Sequence, residues 1–493
     1  MYKPQPLHNE DDDVENALHN NNNNNNVNNN NSGSNSNNNN NVHALQMCLL
    51  TAFLLIFLAG SAFQTKPLML KSQHHQRDQK TYDCNLTLVE SIPIGLNFTP
   101  GSPKFMSTFE AWQHLLNISK STLDIGSYYW TLRGEDTGFN HSSAQPGEQI
   151  FQRLLANGIG DGTKIKIRIA QSEPSSVSTD LETKILASYG AAEVVTLDFP
   201  KYLGGGILHT KLWIVDEQHF YLGSANMDWR ALTQVKELGV LGQNCPQLAN
   251  DLAKIFKAYW YLGSNPNARI PTSWPWQYST DYNQEQPMML NVNRNPAENF
   301  TMQAYAASSP PPLSANGRTH DLDAILNTIN TALKFVHISV MDYHPLILFG
   351  STVQFWPEID NALRKAAVER SVSVKLLISW WKHSDPSIDN FLRSLQDLST
   401  TMRHIDIQIR RFIVPADEDQ QKIPFGRVNH NKYMVTDRVA YIGTSNWSGD
   451  YFTDTAGIGL VLKDTNPNIS SLRNDLQNIF NRDWNSAFAQ EMS

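Results

Sequence analysis

The chain has few cysteines and no excess of positive charge. Only three of its 493 residues are cysteine, so a dense disulfide framework is excluded as the main source of its stability. The formal net charge of -8 excludes a broad, charge-driven nucleic-acid surface, although it permits a narrow basic cleft. Hydrophobic residues make up 40% of the chain, which is enough for a large core in two or three domains.

Several catalytic signatures are also missing. The sequence contains no Gly-x-Ser-x-Gly nucleophile elbow and no phosphate-binding loop. No cluster of metal-ligating residues stands out either. We therefore expect neither a metal site nor a cofactor.

The N-terminal region differs in composition from the rest. Residues 1–43 hold an acidic cluster and an asparagine-rich tract, which predict a disordered cytosolic tail. Residues 44–63 carry no charge, and about 20 apolar residues span a bilayer, so we predict a transmembrane signal anchor. A signal peptide cleaved near residues 60–62 is the alternative. A stalk at residues 64–80 would follow.

The flanking charges and the glycosylation sequons give opposite indications of where the body, the chain after the stalk, is located. Lys66, Lys71, Arg77 and Lys80 follow the apolar run, which favours a cytosolic body under the positive-inside rule. Six glycosylation sequons favour a luminal body. They lie at Asn85, Asn97, Asn117, Asn140, Asn299 and Asn468. Cys84 and Cys245 can pair if the body is extracytoplasmic, and two unrelated buried thiols are the alternative.

From about residue 80 onward the chain alternates between predicted strands and helices. Residues 165–170 and 374–379 are short apolar runs typical of strands, whereas residues 148–157 and 357–370 have apolar residues at helical spacing. This alternation predicts an α/β fold with a largely covered sheet.

The body also repeats itself in order. Three pairs of segments match between the two halves: 123–132 with 336–346, 206–229 with 427–449, and 250–260 with 474–484. We predict two homologous domains, residues 81–260 and 321–487, each a mixed sheet flanked by helices. A pseudo-twofold axis relates them, and residues 261–320, rich in Pro, Asn and Ser, connect them.

Each half carries one His-x-Lys-x4-Asp motif. The predicted catalytic residues are His209, Lys211 and Asp216, and then His430, Lys432 and Asp437. Positions i and i+2 of an extended strand share one face, so each His and Lys project together. Two lysines can neutralise a phosphodiester, while one imidazole attacks phosphorus and the other protonates the leaving oxygen. The near symmetry of the halves leaves open which histidine is the nucleophile.

Polar residues after the motifs are candidates for supporting roles. The residues that could donate hydrogen bonds to phosphate oxygens are Ser224, Asn226, Ser445 and Asn446. Glu237 and Asp454 follow the two motifs in corresponding regions, and we predict that they orient the histidines and separate their pKa values. A structural ion pair is the alternative for each carboxylate.

Aromatic residues are concentrated at the predicted strand ends and could stack on nucleobases in a cleft. They are Tyr128, Tyr129, Trp130, Tyr343, Trp380 and Trp381. Packing in the core or at a rim is favoured for most of them.

The motifs and their surroundings resemble the phospholipase D superfamily. Segments such as LHTKLWIVDEQHFYLGSANMDW and VNHNKYMVTDRVAYIGTSNWSG look like its endolysosomal branch, whose members are type II membrane proteins. The likeness covers roughly residues 80–487. It implies two phospholipase D-like domains and a signal-anchored protein of the endoplasmic reticulum and endolysosomal system, with a glycosylated luminal body. It also implies metal-independent cleavage through a phosphohistidine intermediate.

The resemblance implies two substrate classes. Members of this branch cleave single-stranded nucleic acid from its 5′ end and are also linked to phospholipid hydrolysis and transphosphatidylation. The residues do not separate these substrates, and they leave the oligomeric state and pH optimum open. Two other hypotheses are a catalytically inactive membrane-anchored binding protein, which the intact motifs disfavour, and a cytosolic membrane-tethered lipid enzyme, which the flanking charges favour.

A luminal body should carry N-linked glycans. Protein made in secretory cells should therefore gain electrophoretic mobility when treated with an N-glycosidase. Asn446 also lies in a sequon but is proposed to line the active site, so it should stay unmodified. A body whose mobility does not change would contradict the luminal assignment.

Overall fold

The structure is a computed structural model that describes residues 80–160, 164–175, 180–293, 299–350, 352–466 and 471–492. The predicted tail, the apolar run 44–63, the stalk up to residue 79 and the sequon at Asn468 lie outside these residues. Within the described ranges, no helix combines the length and the apolar character needed to cross a bilayer. The described residues belong to one compact unit.

The first half alternates strands and helices. Its strands are β1 (Thr81–Ser91), β2 (Thr122–Ser127), β3 (Trp130–Thr131), β4 (Lys166–Ser172), β5 (Ala192–Leu197), β6 (Leu212–Val215), β7 (His219–Gly223), β8 (Met227–Asp228) and β9 (Glu237–Gln243). Its helices are α1 (Thr108–Ile118), α2 (Gln145–Ile159), α3 (Leu181–Ser188), α4 (Phe199–Leu203), α5 (Trp229–Thr233) and α6 (Pro246–Ser264).

The rest of the chain repeats this pattern from β11 onward, with β10 before the repeat and β20 after it. The strands are β10 (Met288–Asn293), β11 (Asn299–Ser309), β12 (Phe335–Val340), β13 (Leu346–Ile347), β14 (Gln354–Phe355), β15 (Ser373–Ser379), β16 (Ile407–Phe412), β17 (Lys432–Thr436), β18 (Val439–Gly443), β19 (Gly457–Asp464) and β20 (Ala489–Glu491). The helices are α7 (Asp321–Thr331), α8 (Glu358–Arg370), α9 (Ile388–Gln396), α10 (Asp450–Thr453) and α11 (Leu472–Trp484).

One mixed sheet contains sixteen of the described strands, in the order β20-β16-β15-β12-β17-β18-β19-β11-β10-β1-β9-β7-β6-β2-β4-β5. Read from its two ends toward the centre, the order repeats: β5-β4-β2-β6-β7-β9-β1 corresponds to β16-β15-β12-β17-β18-β19-β11. The pairings also agree, since β2 and β12 are each parallel to one neighbour and antiparallel to the other. Two homologous halves, each a mixed sheet with helices, are thereby confirmed.

Strands and helices predicted from the apolar spacing of the sequence are present in the structure. Residues 165–170 and 374–379 lie in or beside β4 and β15, and residues 148–157 lie inside α2. In α8, Pro357 is the N-cap, and Ser371 ends the helix in the left-handed region at φ 55°. Both faces of the sheet are covered, which explains why its central strands are almost continuously apolar.

The segment 261–320 does more than connect the halves. It supplies β10 and β11, which lie in the middle of the sheet. β10 pairs with β1 in parallel and with β11 in antiparallel orientation, so it joins the two half-sheets. Its rich content of Pro and Asn concealed an alternating apolar run at residues 288–293, in which every second side chain is buried.

Covalent and ionic contacts tie the C-terminal helix and β1 to the centre. Cys84 in β1 forms a disulfide with Cys245, the N-cap residue of α6. Arg482 in α11 binds the Glu90 carboxylate through two hydrogen bonds of 2.7 Å. Each of these contacts links segments far apart in sequence, so they fix β1 against both α6 and α11.

Asp321 is a buried carboxyl at the start of α7. It accepts a hydrogen bond of 2.8 Å from the Tyr441 hydroxyl, and burial raises its pKa to about 7. In the unfolded chain its pKa would be about 3.9. Because the folded chain binds this proton more tightly, its stabilising effect is complete below about pH 4 and is lost as the pH rises to about 7.

Replacing Asp321 with Asn should flatten the pH dependence of stability. Between about pH 4 and 7, the wild-type free energy of unfolding should lose up to about 1.4 kcal/mol per pH unit more than that of Asp321→Asn. Urea unfolding at several pH values measures this. Asp323→Asn, which changes an exposed carboxyl on the same helix, is the control and should keep the wild-type slope. Equal slopes in wild type and Asp321→Asn would contradict the account.

Candidate active site

The two motifs meet because each catalytic segment is hydrogen-bonded to the opposite half. The main-chain N–H of His209 donates to the carbonyl of Ala456 at 2.9 Å, and that of His430 donates to the carbonyl of Lys236 at 2.8 Å. Both histidines lie in extended segments immediately before β6 and β17. Both are buried, with exposed fractions of 2% and 9%. The fold therefore brings both histidines to one site.

The motif lysines lie beside their own histidines and are themselves buried. Lys211 Nζ donates to the carbonyl of His209 at 2.7 Å, and Lys432 Nζ donates to that of His430 at 3.1 Å. Burial, reinforced by the positive charges of both lysines, holds the pKa of each histidine well below its usual value. The site thus concentrates positive charge in a low-dielectric setting, which suits a bound phosphate.

His430 has a carboxylate partner from the other half. Its Nδ1 lies 2.9 Å from Oε2 of Glu237, and the Ser224 hydroxyl donates to the same carboxyl oxygen. Burial raises the pKa of Glu237 to about 8. Since burial also lowers the pKa of His430, the two groups share one proton across this hydrogen bond near neutral pH. Such a pair can deliver a proton through the opposite ring nitrogen.

His209 is surrounded differently. Its ring lies edge-on to Tyr451 at 5.0 Å and tilted against Tyr128 at 5.5 Å, and the main chain of Thr444 is within hydrogen-bonding reach. In the part of the chain that the structure describes, no carboxylate contacts this ring. Burial and the two nearby lysines favour the neutral form of His209, and a neutral imidazole is the form that can act as a nucleophile.

The difference between the histidines arises from one pair of equivalent positions. Glu237 begins β9 and pairs with Ser91, whereas Gly457 begins β19 and pairs with Ser309. A Cβ added to Gly457 would lie 2.1 Å from the Ser445 hydroxyl oxygen. The second half therefore has no room for a side chain at the position that Glu237 occupies in the first.

The structure does not place Asp454 beside His209. Asp454 is the C-cap of α10 and corresponds to Gln234, the C-cap of α5. Burial and the nearby charge of Asp450 raise the pKa of Asp454 to about 7, and its carboxyl contacts Thr455. Glu237 lies as far after Gly223, the last residue of β7, as Gly457 lies after Gly443, the last residue of β18. The counterpart of Glu237 is therefore Gly457 and not Asp454, and the structure supports one orienting carboxylate instead of the two expected.

The motif aspartates lie outside the site. Asp216 accepts hydrogen bonds of 2.8 Å from the main-chain N–H groups of Ser121 and Thr122. Asp437 accepts equivalent bonds of 2.9 and 3.0 Å from Leu333 and Lys334. Both follow a strand of several residues that separates them from the histidine, so they fix the entry to β2 and β12. These contacts give both aspartates a structural role, and a catalytic role for them stays a prediction.

The asparagines of the turns lie in the site. Asn226 Nδ2 donates to the Tyr129 hydroxyl at 3.3 Å, and Asn446 Nδ2 donates to Asp342 at 3.2 Å and to the Tyr451 hydroxyl at 3.1 Å. The Oδ1 atoms of both are buried and have no hydrogen-bond partner among the described residues. These two oxygens are acceptors, so they are available to a hydrogen-bond donor of a ligand and not to a phosphate oxygen.

The serines of the turns have different surroundings. Ser224 is fully buried and binds Glu237 and the main chain of Leu238, so it positions the carboxylate. Thr444, not Ser445, is its counterpart, since its hydroxyl accepts the main-chain N–H of Ile458. Ser445 is buried against Gly457.

Asp342 and Tyr451 were not among the predicted site residues. Asp342 occupies the position of Tyr129, as the alignment of 336–346 with 123–132 shows, and burial raises its pKa. That alignment could have identified it, because both residues contact the turn asparagine of their own half. Of the aromatic candidates, Trp130 and Tyr343 are core residues with exposed fractions of 0% and 1%.

Comparisons with known proteins agree with this geometry. The family model described as "PLD3/4, PLD-like domain" matches residues 100–417. The 5'-3' exonuclease PLD3 of Xenopus laevis is 50% identical over 448 residues, covering 90% of this chain and 88% of the frog protein. The human 5'-3' exonuclease PLD3 is 50% identical over 419 residues, covering 85% of this chain and 83% of the human protein.

A solved structure supports the fold alone. The phosphatidylserine synthase of Haemophilus influenzae Rd KW20 superposes with a TM-score of 0.50 at 12% identity, covering 78% of this chain and 85% of that chain. The fold and the paired motifs together define a phosphodiesterase of the phospholipase D superfamily. Within that superfamily, the chain belongs to the PLD3/4 family.

Glu237→Gln should slow the protonation of the leaving group. The amide keeps the hydrogen bond to His430 but cannot share a proton with it, so kcat/KM should fall about 10²- to 10³-fold for a phosphodiester with an alkoxide leaving group. The burst of nitrophenolate from bis(4-nitrophenyl) phosphate should change much less, because that leaving group needs little protonation. Asp454→Asn is the matched control and should stay near the wild-type rates. Equal losses with both substrates would contradict a proton-sharing role.

Proposed function

We propose that the chain is a 5′ exonuclease for single-stranded DNA or RNA that acts through a phosphohistidine on His209. The single observation that carries the division of roles is the Glu237 carboxylate on His430 and the absence of any equivalent contact to His209 in the described chain. The choice of substrate is supported by the relatives named 5'-3' exonuclease PLD3, which match most of this chain.

In the first step, the neutral His209 ring attacks the phosphorus. A nitrogen–phosphorus bond forms, the bond from phosphorus to the leaving oxygen breaks, and the proton shared by His430 and Glu237 passes to that oxygen. Lys211 and Lys432 offset the charge that accumulates on the equatorial oxygens. The second N–H of the Asn226 side-chain amide can donate to the same phosphate, whereas both N–H groups of Asn446 already donate to Asp342 and Tyr451.

In the second step, the Glu237–His430 pair takes a proton from water. The resulting nucleophile attacks the phosphohistidine, the nitrogen–phosphorus bond breaks, and His209 is restored. Two in-line displacements invert the phosphorus twice and leave its configuration unchanged. A primary alcohol can replace water in this step, which would give transphosphatidylation-like products.

The protein is proposed to be anchored as a type II membrane protein, with its catalytic body in the endolysosomal lumen. The sequons at Asn97, Asn117, Asn140 and Asn299 have exposed side chains, and Asn85 is half-buried, so glycans can attach to most of them without unfolding the body. The Cys84–Cys245 disulfide suits an oxidising compartment.

The test compares nucleic acid with lipid. Detergent-solubilised protein is offered single-stranded DNA with a free 5′-hydroxyl end, the same strand blocked at that end by a bulky group, and phosphatidylcholine vesicles. The assays span about pH 4.5 to 7.5, around the histidine pKa of about 6.5. The free strand should shorten from its 5′ end, including in EDTA, and the blocked strand should resist cleavage.

His209→Ala and His430→Ala should each reduce this activity about a thousandfold or more. His404→Ala, a change at an exposed histidine outside the site, is the matched control and should be fully active. Hydrolysis of phosphatidylcholine without cleavage of DNA would replace the exonuclease with a lipid enzyme. Near-wild-type rates in either site variant would contradict the two-histidine mechanism.

A further inference from the structure

Three aromatic side chains of the second half lie next to one another, in the loop after β15 and in the segment before His430. The rings of Trp381 and His383 have centroids 4.8 Å apart, and those of His383 and Phe425 have centroids 5.2 Å apart. The Arg230 guanidinium lies 5.8 Å from the centroid of Phe425. All three aromatic residues are half-buried, so each is partly open to solvent. We call Trp381, His383 and Phe425 the aromatic wall.

Hydrogen bonds connect the aromatic wall to the catalytic centre. The loop 380–387 begins directly after Ser379, whose hydroxyl accepts the main-chain N–H of Asn429 at 3.1 Å. Asn429 immediately precedes His430. The start of the loop that carries Trp381 and His383 is therefore fixed against the chain that carries a catalytic histidine.

A second connection runs from the other half. The Arg230 guanidinium binds Asp228 at 2.7 Å, and Asp228 accepts a hydrogen bond of 2.9 Å from the Tyr129 hydroxyl. Tyr129 in turn binds Asn226, one of the proposed phosphate contacts. The aromatic wall is thus joined to the phosphate site through both halves of the molecule.

The corresponding segment of the first half has no aromatic residue in its sequence. Ser172 corresponds to Ser379, since its hydroxyl accepts the main-chain N–H of Leu208 at 3.2 Å, next to His209. The sequence that follows it, Glu173-Pro-Ser-Ser-Val-Ser-Thr-Asp180, contains no aromatic residue and begins and ends with a carboxylate. The two corresponding segments therefore differ in sequence, because only the one that follows Ser379 contains aromatic residues.

Backbone geometry also marks the aromatic wall as a specialised element. Phe425 and Arg427 adopt left-handed conformations, at φ 53° and 63°. Bulky side chains rarely adopt this conformation, and such strain is concentrated at ligand sites. The Arg427 guanidinium donates to the Ile94 carbonyl and to Gln234 Oε1, both at 3.0 Å, which holds this segment in place.

We propose that the aromatic wall is a stacking site for a nucleobase next to the scissile phosphate, with Trp381 as its main contact. This inference rests on the proposed action on single-stranded nucleic acid. Every base has an aromatic face, so stacking tolerates all sequences, and the Arg230 charge adds to it.

The experiment combines a protein change with a substrate change. Full-length wild type, Trp381→Ala and Trp276→Ala are assayed on a short single-stranded DNA and on a matched strand whose two 5′-terminal residues are abasic. Trp276 lies in the connecting segment with an exposed fraction of 85%, so it serves as the tryptophan control. On the normal strand, Trp381→Ala should raise KM about tenfold with a smaller change in kcat, and Trp276→Ala should match the wild type.

The abasic strand identifies the partner of Trp381. It should raise the wild-type KM by about the same factor, and Trp381→Ala should cause no further loss on it. Trp381→Phe should restore most of the binding, whereas Trp381→Leu should not. Equal losses on both strands, or unchanged KM on the normal strand, would overturn the stacking site. Failure of the wild type to cleave any DNA would instead overturn the proposed function.

Discussion

The catalytic centre depends on one contact, the hydrogen bond from His430 Nδ1 to Glu237 at 2.9 Å. The two residues come from different halves, so the bond exists only when the duplicated domains are docked. It fixes the ring orientation of His430, and burial of the carboxyl gives the pair a proton to share. A molecule that is nearly symmetric in fold therefore has an asymmetric site, because Gly457 replaces Glu237 and Asp342 replaces Tyr129 in the second half.

Burying the histidines, the lysines and Glu237 together is unfavourable unless the surrounding chain holds them in position by hydrogen bonds. The buried carbonyls of His209 and His430 each accept a bond from a motif lysine, and the main chains of both histidines are bonded to the opposite half. Next to Glu237, the side chain of Lys236 lies 2.8 Å from Asp483, with both side chains fully buried. Removing one partner of such a buried pair is strongly destabilising, so helix α11, which carries Asp483, supports the segment that carries Glu237.

The sequence predicted the features that repeat, and it missed those in which the two halves differ. The matching segments were sufficient to predict two homologous halves with mixed sheets, and the structure brings His209 and His430 together, while their catalytic roles stay a prediction. The same assumption of symmetry led to Asp454 as a second orienting carboxylate, although Gly457 occupies the true equivalent of Glu237. Which polar residues face the ligand also depends on packing. Asp216 illustrates this, since its carboxylate accepts hydrogen bonds from the main-chain N–H groups of Ser121 and Thr122 at the start of β2.

The connecting segment shows a second limit of composition. Its Pro, Asn and Ser content is typical of a linker, yet residues 288–293 and 299–309 form the strands that join the two half-sheets. Non-local pairing with β1 and β19 stabilises these strands, and local propensity does not report such pairing. The same limit applies to the aromatic wall, because Trp381 and Phe425 lie in separate segments of the sequence and are brought together only by the fold.

The most direct test of the central claim is to locate the phosphoryl group on the enzyme. A single-stranded substrate labelled at the scissile phosphate is mixed with wild type and with His430→Ala, the reaction is quenched within one turnover, and the labelled peptide is mapped. We expect label on His209 in the wild type. In His430→Ala we expect the label to persist longer on His209, because the second step then lacks its base. Label on His430, or inversion of configuration at a chiral phosphorus, would contradict the assignment of roles derived from the Glu237 contact.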